Sequence, residues 1–174
     1  MQFDVLCQEL AHGEEMIPAL VAGVTPEEAR FKPDPKTWSV LEVLCHLCDE
    51  ERDDFRSHLD HILYHSDQPW PDIAPGAWVT ARRYNERDLA QVLGEFQAER
   101  SRSLAWLHGL ASPDLNASVT ASFGLDERIT LTAGDMLASW VAHDNLHMRQ
   151  LVELRRARLL RLTAPFGVDY AGGW

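Results

Sequence analysis

The stretch that decides the fold runs from Trp140 to Leu151 and reads WVAHDNLHMRQL. On a helical wheel, with about 100° between successive residues, His143 and His147 lie about 40° apart. Both fall within the apolar stripe of the segment, which also contains Trp140 and Leu151. The pattern therefore predicts a helix that turns two histidines towards the interior of a helical bundle.

Two histidines on one buried helical face require an explanation. Each buried imidazole must find a partner, because an unpaired buried polar group costs about 1–3 kcal/mol. A divalent cation that accepts one nitrogen from each imidazole removes this cost, and the i, i+4 spacing puts both nitrogens on one side of the helix. The spacing alone is a weak motif, since a single buried histidine is usually satisfied by one hydrogen bond.

Four segments of apolar periodicity predict an all-α fold, specifically a four-helix bundle. The second segment has the clearest start, because Ser39 and Glu42 match a capping box in which each side chain satisfies a backbone N–H of the other. Pro18 lies inside the first segment and is expected to kink that helix or end it early. The predicted helices run approximately over residues 3–21, 39–64, 86–109 and 132–158.

The connections between the helices differ in length and composition. Residues 66–84 contain three prolines, a glycine and two tryptophans, which predicts a long loop after the second helix. Between the third and fourth helices, the runs 118–123 and 128–131 predict a small hairpin around Gly124. The sequence has no internal repeat and no low-complexity tract, so residues 1–174 are expected to form one domain.

A third metal ligand must come from another helix, and His46 in the second helix is the best candidate. Glu42, Glu50 and Asp53 fall within about 40° of His46 on the wheel, whereas the main apolar arc points largely the other way. His46 is therefore expected either at the surface or in a polar cleft that water and substrate can enter. Glu50, one turn from His46, is a candidate fourth ligand, an acceptor behind the ligand or a general base. A bare helical charge of this kind is more often solvated.

Two other clusters are weaker candidates. Cys45 and Cys48 form a CxxC, but redox motifs of this kind gain their thiolate from a helix N-terminus. This pair lies in the middle of a helix, so we interpret it as part of the core. His58, His61 and His65 also have helical spacing, but the serine and aspartate residues around them indicate a wet surface.

Composition excludes several classes of partner. The formal net charge of -11 opposes binding to nucleic-acid phosphates. No apolar run reaches the ~18 residues that a membrane span requires, and the first residues lack the features of a signal peptide. Three cysteines are too few for a disulfide framework, so a reducing cytoplasm is expected. These features leave a small molecule as the expected partner.

Two separated segments resemble the helix-two and helix-four signatures of the DinB-like superfamily. They read KTWSVLEVLCHLCDEE from Lys36 to Glu51 and WVAHDNLHMRQL from Trp140 to Leu151, and their order, their separation and the chain length also fit. The resemblance implies a metal-binding four-helix bundle. It also implies that His46, His143 and His147 bind one divalent ion, often zinc or nickel.

The resemblance further implies a class of activity. Members with known activity include transferases that use low-molecular-weight thiols such as bacillithiol or mycothiol, and a mycothiol-dependent isomerase; dimers are common. We therefore expect a homodimeric, metal-dependent thiol S-transferase whose ion lowers the pKa of a small thiol cosubstrate. Glu50 or Asp49 is a candidate proton acceptor, and Trp78 and Tyr84 are candidate pocket walls unless they only pack. A metal-dependent hydrolase and a non-enzymatic, stress-related metal-binding protein are the alternatives.

Overall fold

The computed structural model describes residues 2–122 and 128–174, which are mainly helical. The four long helical runs form the predicted four-helix bundle, and the second run is made of two α-helices joined by a π-helical segment, Glu50–Phe55. The α-helices of the described residues are α1 Gln2–Val21, α2 Pro26–Ala29, α3 Val40–Asp49, α4 Arg56–Tyr64, α5 Pro75–Ala81, α6 Leu89–Gly109 and α7 Ala133–Thr163.

The ends of the helices follow from their caps. Ser39 and Glu42 form the predicted capping box at α3, with Glu42 N–H donating to Ser39 Oγ at 3.1 Å. Thr132 and Asp135 form the equivalent box at α7. Pro18 does not end α1, which continues to Val21. The buried side chains on either side of this proline, Ile17 and Val21, hold the last turn against the core.

The π-helical segment is a feature that the apolar periodicity did not predict. A π-helical turn holds more residues than an α-helical turn, so it rotates the residues that follow it. As a result, Phe55 at the end of the segment and Leu59 in α4 are buried. They follow α3, which is already buried on all its faces.

The connections contain more regular structure than expected. The strands β1 Ser118–Ala121 and β2 Ile129–Thr132 pair antiparallel and confirm the small hairpin between α6 and α7. Its predicted turn around Gly124, together with Phe123, lies outside the described residues. The connection predicted as a loop over residues 66–84 includes the short helix α5. A 3-10 turn, Tyr84–Glu86, lies where that loop was predicted to end and the third helix to begin.

The core consists of two apolar clusters with a buried polar layer between them. On α3, for example, His46 and Asp49 fall between the buried leucines near the start of that helix and Phe55 at the end of the π-helical segment. The same arrangement holds on α6, where Arg100 lies between the two clusters, and on α7, where Asp144 and His147 do. In the described part of the chain, no helix combines the length and the apolar character that crossing a bilayer requires.

Candidate metal centre

Three histidine side chains from two helices converge in the polar layer. Nε2 of His143 lies 3.2 Å from Nε2 of His46 and 3.1 Å from Nε2 of His147. His46 and His147 are each only 6% exposed, and His143 is half-buried. Among the described residues, these three form the one group of histidine, cysteine, aspartate and glutamate side chains that could hold a metal ion. The structure thus brings together the three predicted ligands.

The spacing of the three nitrogens fits a divalent cation. Two imidazole nitrogens on a tetrahedral zinc ion lie about 3.3 Å apart, because each Zn–N bond is about 2.0–2.1 Å long. The two measured separations, 3.1 and 3.2 Å, are close to this value. A neutral imidazole nitrogen offers one lone pair, so Nε2 of His143 cannot accept full hydrogen bonds from both neighbours. A cation satisfies all three nitrogens at once.

The outer nitrogens of two rings face oxygen atoms. Nδ1 of His147 lies 2.8 Å from Oε1 of Gln150, so an Nδ1–H that donates there leaves the Nε2 lone pair for the cluster. Nδ1 of His46 lies 3.6 Å from Oε1 of Glu50, and neither atom has a hydrogen-bond partner. Glu50 therefore sits behind His46, beside the nitrogen that does not join the cluster. Metal-bound histidines typically face a carboxylate or amide oxygen in this way.

Burial sets the protonation of the cluster. Desolvation lowers the pKa of His46 to about 3, and the pKa of His143 falls to about 3 for the same reason, with the neighbouring histidines adding to both effects. Burial also lowers the pKa of His147. The three imidazoles are consequently neutral at pH 7, which is the state that binds metal. Burial, helped by a hydrogen bond with Asp54, raises the pKa of Glu50 to about 9.

Aromatic rings enclose the histidines, and reasoning from the sequence did not identify them. Trp38 approaches His46 edge-on with 4.8 Å between ring centroids, and Phe55 lies 5.0 Å from His143. One signal was available for Trp38, because an apolar residue just before an N-cap such as Ser39 commonly packs back onto its helix. No comparable signal existed for Phe55, whose direction depends on the π-helical segment.

The acidic face of α3 is closed, which corrects the expectation that His46 is at the surface or in an open polar cleft. Arg82 belongs to the connection after α4. Its Nη1 is 2.6 Å from Oδ2 of Asp49 and 2.9 Å from Oδ2 of Asp53. Tyr84 O–H donates to Oδ2 of Asp49 at 2.5 Å. These partners are more than 25 residues away in sequence, so a wheel of α3 alone treats the carboxylates as solvated.

The aromatic residues predicted to line a pocket have packing contacts of their own. Tyr84 is buried beside α3, and Trp78 lies under the Arg82 guanidinium at 4.1 Å from its ring centroid. Both belong to or pack against the apolar cluster that also holds Leu41 and Phe96.

The two weaker clusters are occupied by internal contacts. Cys45 and Cys48 are buried free thiols, and burial raises the pKa of each to about 12, in agreement with a core role. The prediction of a wet surface is wrong for His58 and His61, which are buried. Trp70 covers both, and the two nitrogens of His58 already contact Asp54 Oδ1 at 2.7 Å and a backbone carbonyl at 3.0 Å.

Comparisons with known proteins agree with this fold. A sequence model described as the DinB superfamily matches residues 9–151. The structure is similar to that of YfiT from Bacillus subtilis, with a TM-score of 0.76 and 19% identity over 88% of this chain and 86% of that chain. YfiT is described as "a probable metal-dependent hydrolase with an unusual four-helix bundle topology". At this identity the likeness shows the fold alone. A comparison with curated proteins found no match.

Proposed function

Because the chain belongs to the DinB superfamily, we propose that His46, His143 and His147 hold one divalent ion, zinc or nickel, for catalysis. The observation that carries the proposal is the convergence of three Nε2 atoms without a fourth metal-ligating side chain in the described residues. Structural zinc sites use four protein ligands, whereas catalytic sites use three and leave one position for water or substrate. The ligand set therefore favours an enzyme over a structural metal-binding protein.

The reaction that we propose is transfer of a low-molecular-weight thiol to an electrophile. When bound, the ion would supply Lewis acidity that lowers the pKa of the thiol cosubstrate. The position of the carboxylates supports a thiol over water: Glu50 lies behind His46, and Asp49 is held by Tyr84 and Arg82. Zinc hydrolases of the HExxH type add a glutamate base to the metal. A thiol, with an unperturbed pKa of about 8.5, loses its proton with less help.

The protein's own residues would orient the ligands and exclude water. Gln150 would fix the ring of His147 through Nδ1 at 2.8 Å. Oε1 of Glu50, 3.6 Å from Nδ1 of His46, would become the corresponding acceptor once the ring is held by the ion. In this proposal Glu50 acts on His46, which binds the ion, rather than on the substrate. Trp38 and Phe55 form apolar walls against the histidine rings, and such walls strengthen electrostatic interactions inside the site.

A hydrolase is the second candidate, since YfiT, which shares the fold, is described as a probable metal-dependent hydrolase. In that case the ion would lower the pKa of water instead of a thiol. The two reactions differ in whether a thiol is needed, so one set of assays separates them.

The test uses metal-loaded protein with a panel of thiols (glutathione, cysteine, bacillithiol and mycothiol) and chlorodinitrobenzene as the electrophile. We expect conjugation by at least one thiol, and its loss in His143→Ala. His65→Ala is the matched control, because His65 is an exposed histidine at the end of α4. Conjugation at the uncatalysed rate with every thiol would reject the transferase. Hydrolysis of nitrophenyl esters without thiol, abolished by His143→Ala, would favour the second candidate.

A further inference from the structure

A fully buried ion network lies directly beside the histidines. It consists of Glu51 in the π-helical segment, Arg100 in α6 and Asp144 in α7, and the Arg100 side chain is 0% exposed. Nε and Nη2 of Arg100 donate to Oε1 of Glu51, while Nη1 and Nη2 donate to the two oxygens of Asp144 at 2.6 and 2.8 Å. Nη1 also donates to the backbone carbonyl of Leu10 in α1 at 2.8 Å. All five N–H groups of the guanidinium therefore have an acceptor.

The network joins all four long helical runs at one level of the bundle. Trp140 in α7 adds a hydrogen bond from Nε1 to Oε1 of Glu51 at 2.8 Å. The first helix approaches so closely that only glycine fits at position 13. A Cβ there would lie 2.5 Å from Oδ2 of Asp144 and 2.8 Å from Nη1 of Arg100. Because both atoms are held by ion pairs, neither can move away without breaking the network.

Stability alone is a poor reason for such a network. Two buried carboxylates share one guanidinium, burial raises the pKa of Asp144, and Oε2 of Glu51 is buried without a hydrogen-bond partner. Buried ion triads can often be replaced by apolar residues without loss of stability, and their attested benefit is conformational specificity. The question is which conformation this network specifies.

The position of the ion network relative to the histidines indicates which conformation it specifies. Asp144 follows His143 directly, and successive helical residues point about 100° apart. When Asp144 is fixed towards α1 and α6, the rotation of α7 about its axis is fixed as well, and with it the direction of His143 and His147. In the same way, Glu51 fixes the rotation of the second helical run, which carries His46. Trp140 extends the link, because its ring stacks on Phe55, which contacts His143.

We propose that Glu51, Arg100 and Asp144 are positioning residues that set the convergence of the three Nε2 atoms, and that Gly13 is required to seat them. The inference rests on the proposed metal site. It predicts that a change on α1, a helix without any ligand, weakens metal binding by disturbing the ion network.

The test compares Gly13→Ala with Gly94→Ala, using Co²⁺ alone as the probe. Both substitutions replace a helical glycine and gain the same helix propensity, but a Cβ at Gly94 meets nothing within 4 Å. We expect Gly13→Ala to bind Co²⁺ at least ten-fold more weakly and to change its visible absorption spectrum, at a temperature where circular dichroism shows the variant folded. Gly94→Ala should match the wild type in both measurements.

Wild-type affinity and spectrum in folded Gly13→Ala would overturn the inference. If Gly13→Ala does not fold, Co²⁺ binding by Asp144→Asn is measured instead. This substitution retains the shape of the side chain but offers one acceptor oxygen rather than two. Unchanged Co²⁺ binding would again overturn the inference. Absence of Co²⁺ binding in the wild type would reject the metal site itself, which distinguishes failure of the proposed function from failure of the positioning role.

Discussion

The buried polar layer has two regions, and they differ in how their polar atoms are satisfied. In the ion network, every guanidinium N–H of Arg100 meets an oxygen of the chain, and Oε2 of Glu51 alone lacks a partner. In the histidine cluster, three Nε2 atoms face one another. Buried groups that satisfy each other complete the fold, whereas lone pairs that converge indicate a ligand. The contrast between the regions is therefore the basis for assigning metal to one and positioning to the other.

The largest effect is expected from removing the cation of the ion network. Arg100→Met leaves two buried carboxylates unpaired, and we expect a loss of about 3–5 kcal/mol in the free energy of unfolding. Arg87→Met is the matched control, since Arg87 pairs with Glu95 and both side chains are partly exposed; about 1 kcal/mol or less is expected there. Urea denaturation measures both, and equal losses would remove the distinction between the two ion pairs.

A smaller effect is expected from the residue that orients a histidine ligand. Gln150→Leu removes the oxygen 2.8 Å from Nδ1 of His147, which should lower zinc affinity about 10–100-fold with the fold intact. Competition with a chromophoric chelator gives the affinity. Gln91→Leu changes an exposed glutamine on α6 and serves as the control. Unchanged affinity in Gln150→Leu would show that the contact does not prepare His147 for metal.

A pH effect is expected in the metal-free protein. The pKa values of His46 and His143 are about 3 in the folded state, against about 6.5 when unfolded, so between these values the unfolded chain binds more protons. The stabilising contribution is complete above pH 6.5 and is lost as the pH falls towards 3. The slope is about 1.4 kcal/mol per pH unit for each histidine. Urea unfolding of His46→Leu between pH 4 and 6 should show a shallower dependence than the wild type; parallel curves would contradict the assignment.

The sequence predicted the bundle and two of the three histidines for a physical reason. His143 and His147 lie on one regular α-helix, so their common direction follows from the helical period. His46 rested more on resemblance, and its surroundings were misjudged because Arg82 and Tyr84, which form an ion pair and a hydrogen bond with Asp49, come from a distant connection.

The ion network left a signal in the sequence, but an incomplete one. Arg100 interrupts the apolar stripe of α6 between Phe96 and Leu107, at a position where a core residue is expected. A charge on such a face requires buried partners, yet nothing local identifies Glu51 or Asp144 as those partners. The π-helical segment that carries Glu51 breaks the period on which helical wheels depend.

X-ray absorption at the metal edge of zinc- or nickel-loaded protein is the most direct test that His46, His143 and His147 bind one ion. We expect one ion per chain with three imidazole nitrogens at about 2.0–2.1 Å for zinc and at least one further light ligand from solvent or substrate. In His143→Ala the ion should be lost, and in His65→Ala the spectrum should be unchanged. Fewer than three imidazole ligands, or a sulfur from Cys45 or Cys48 in the coordination sphere, would contradict this assignment.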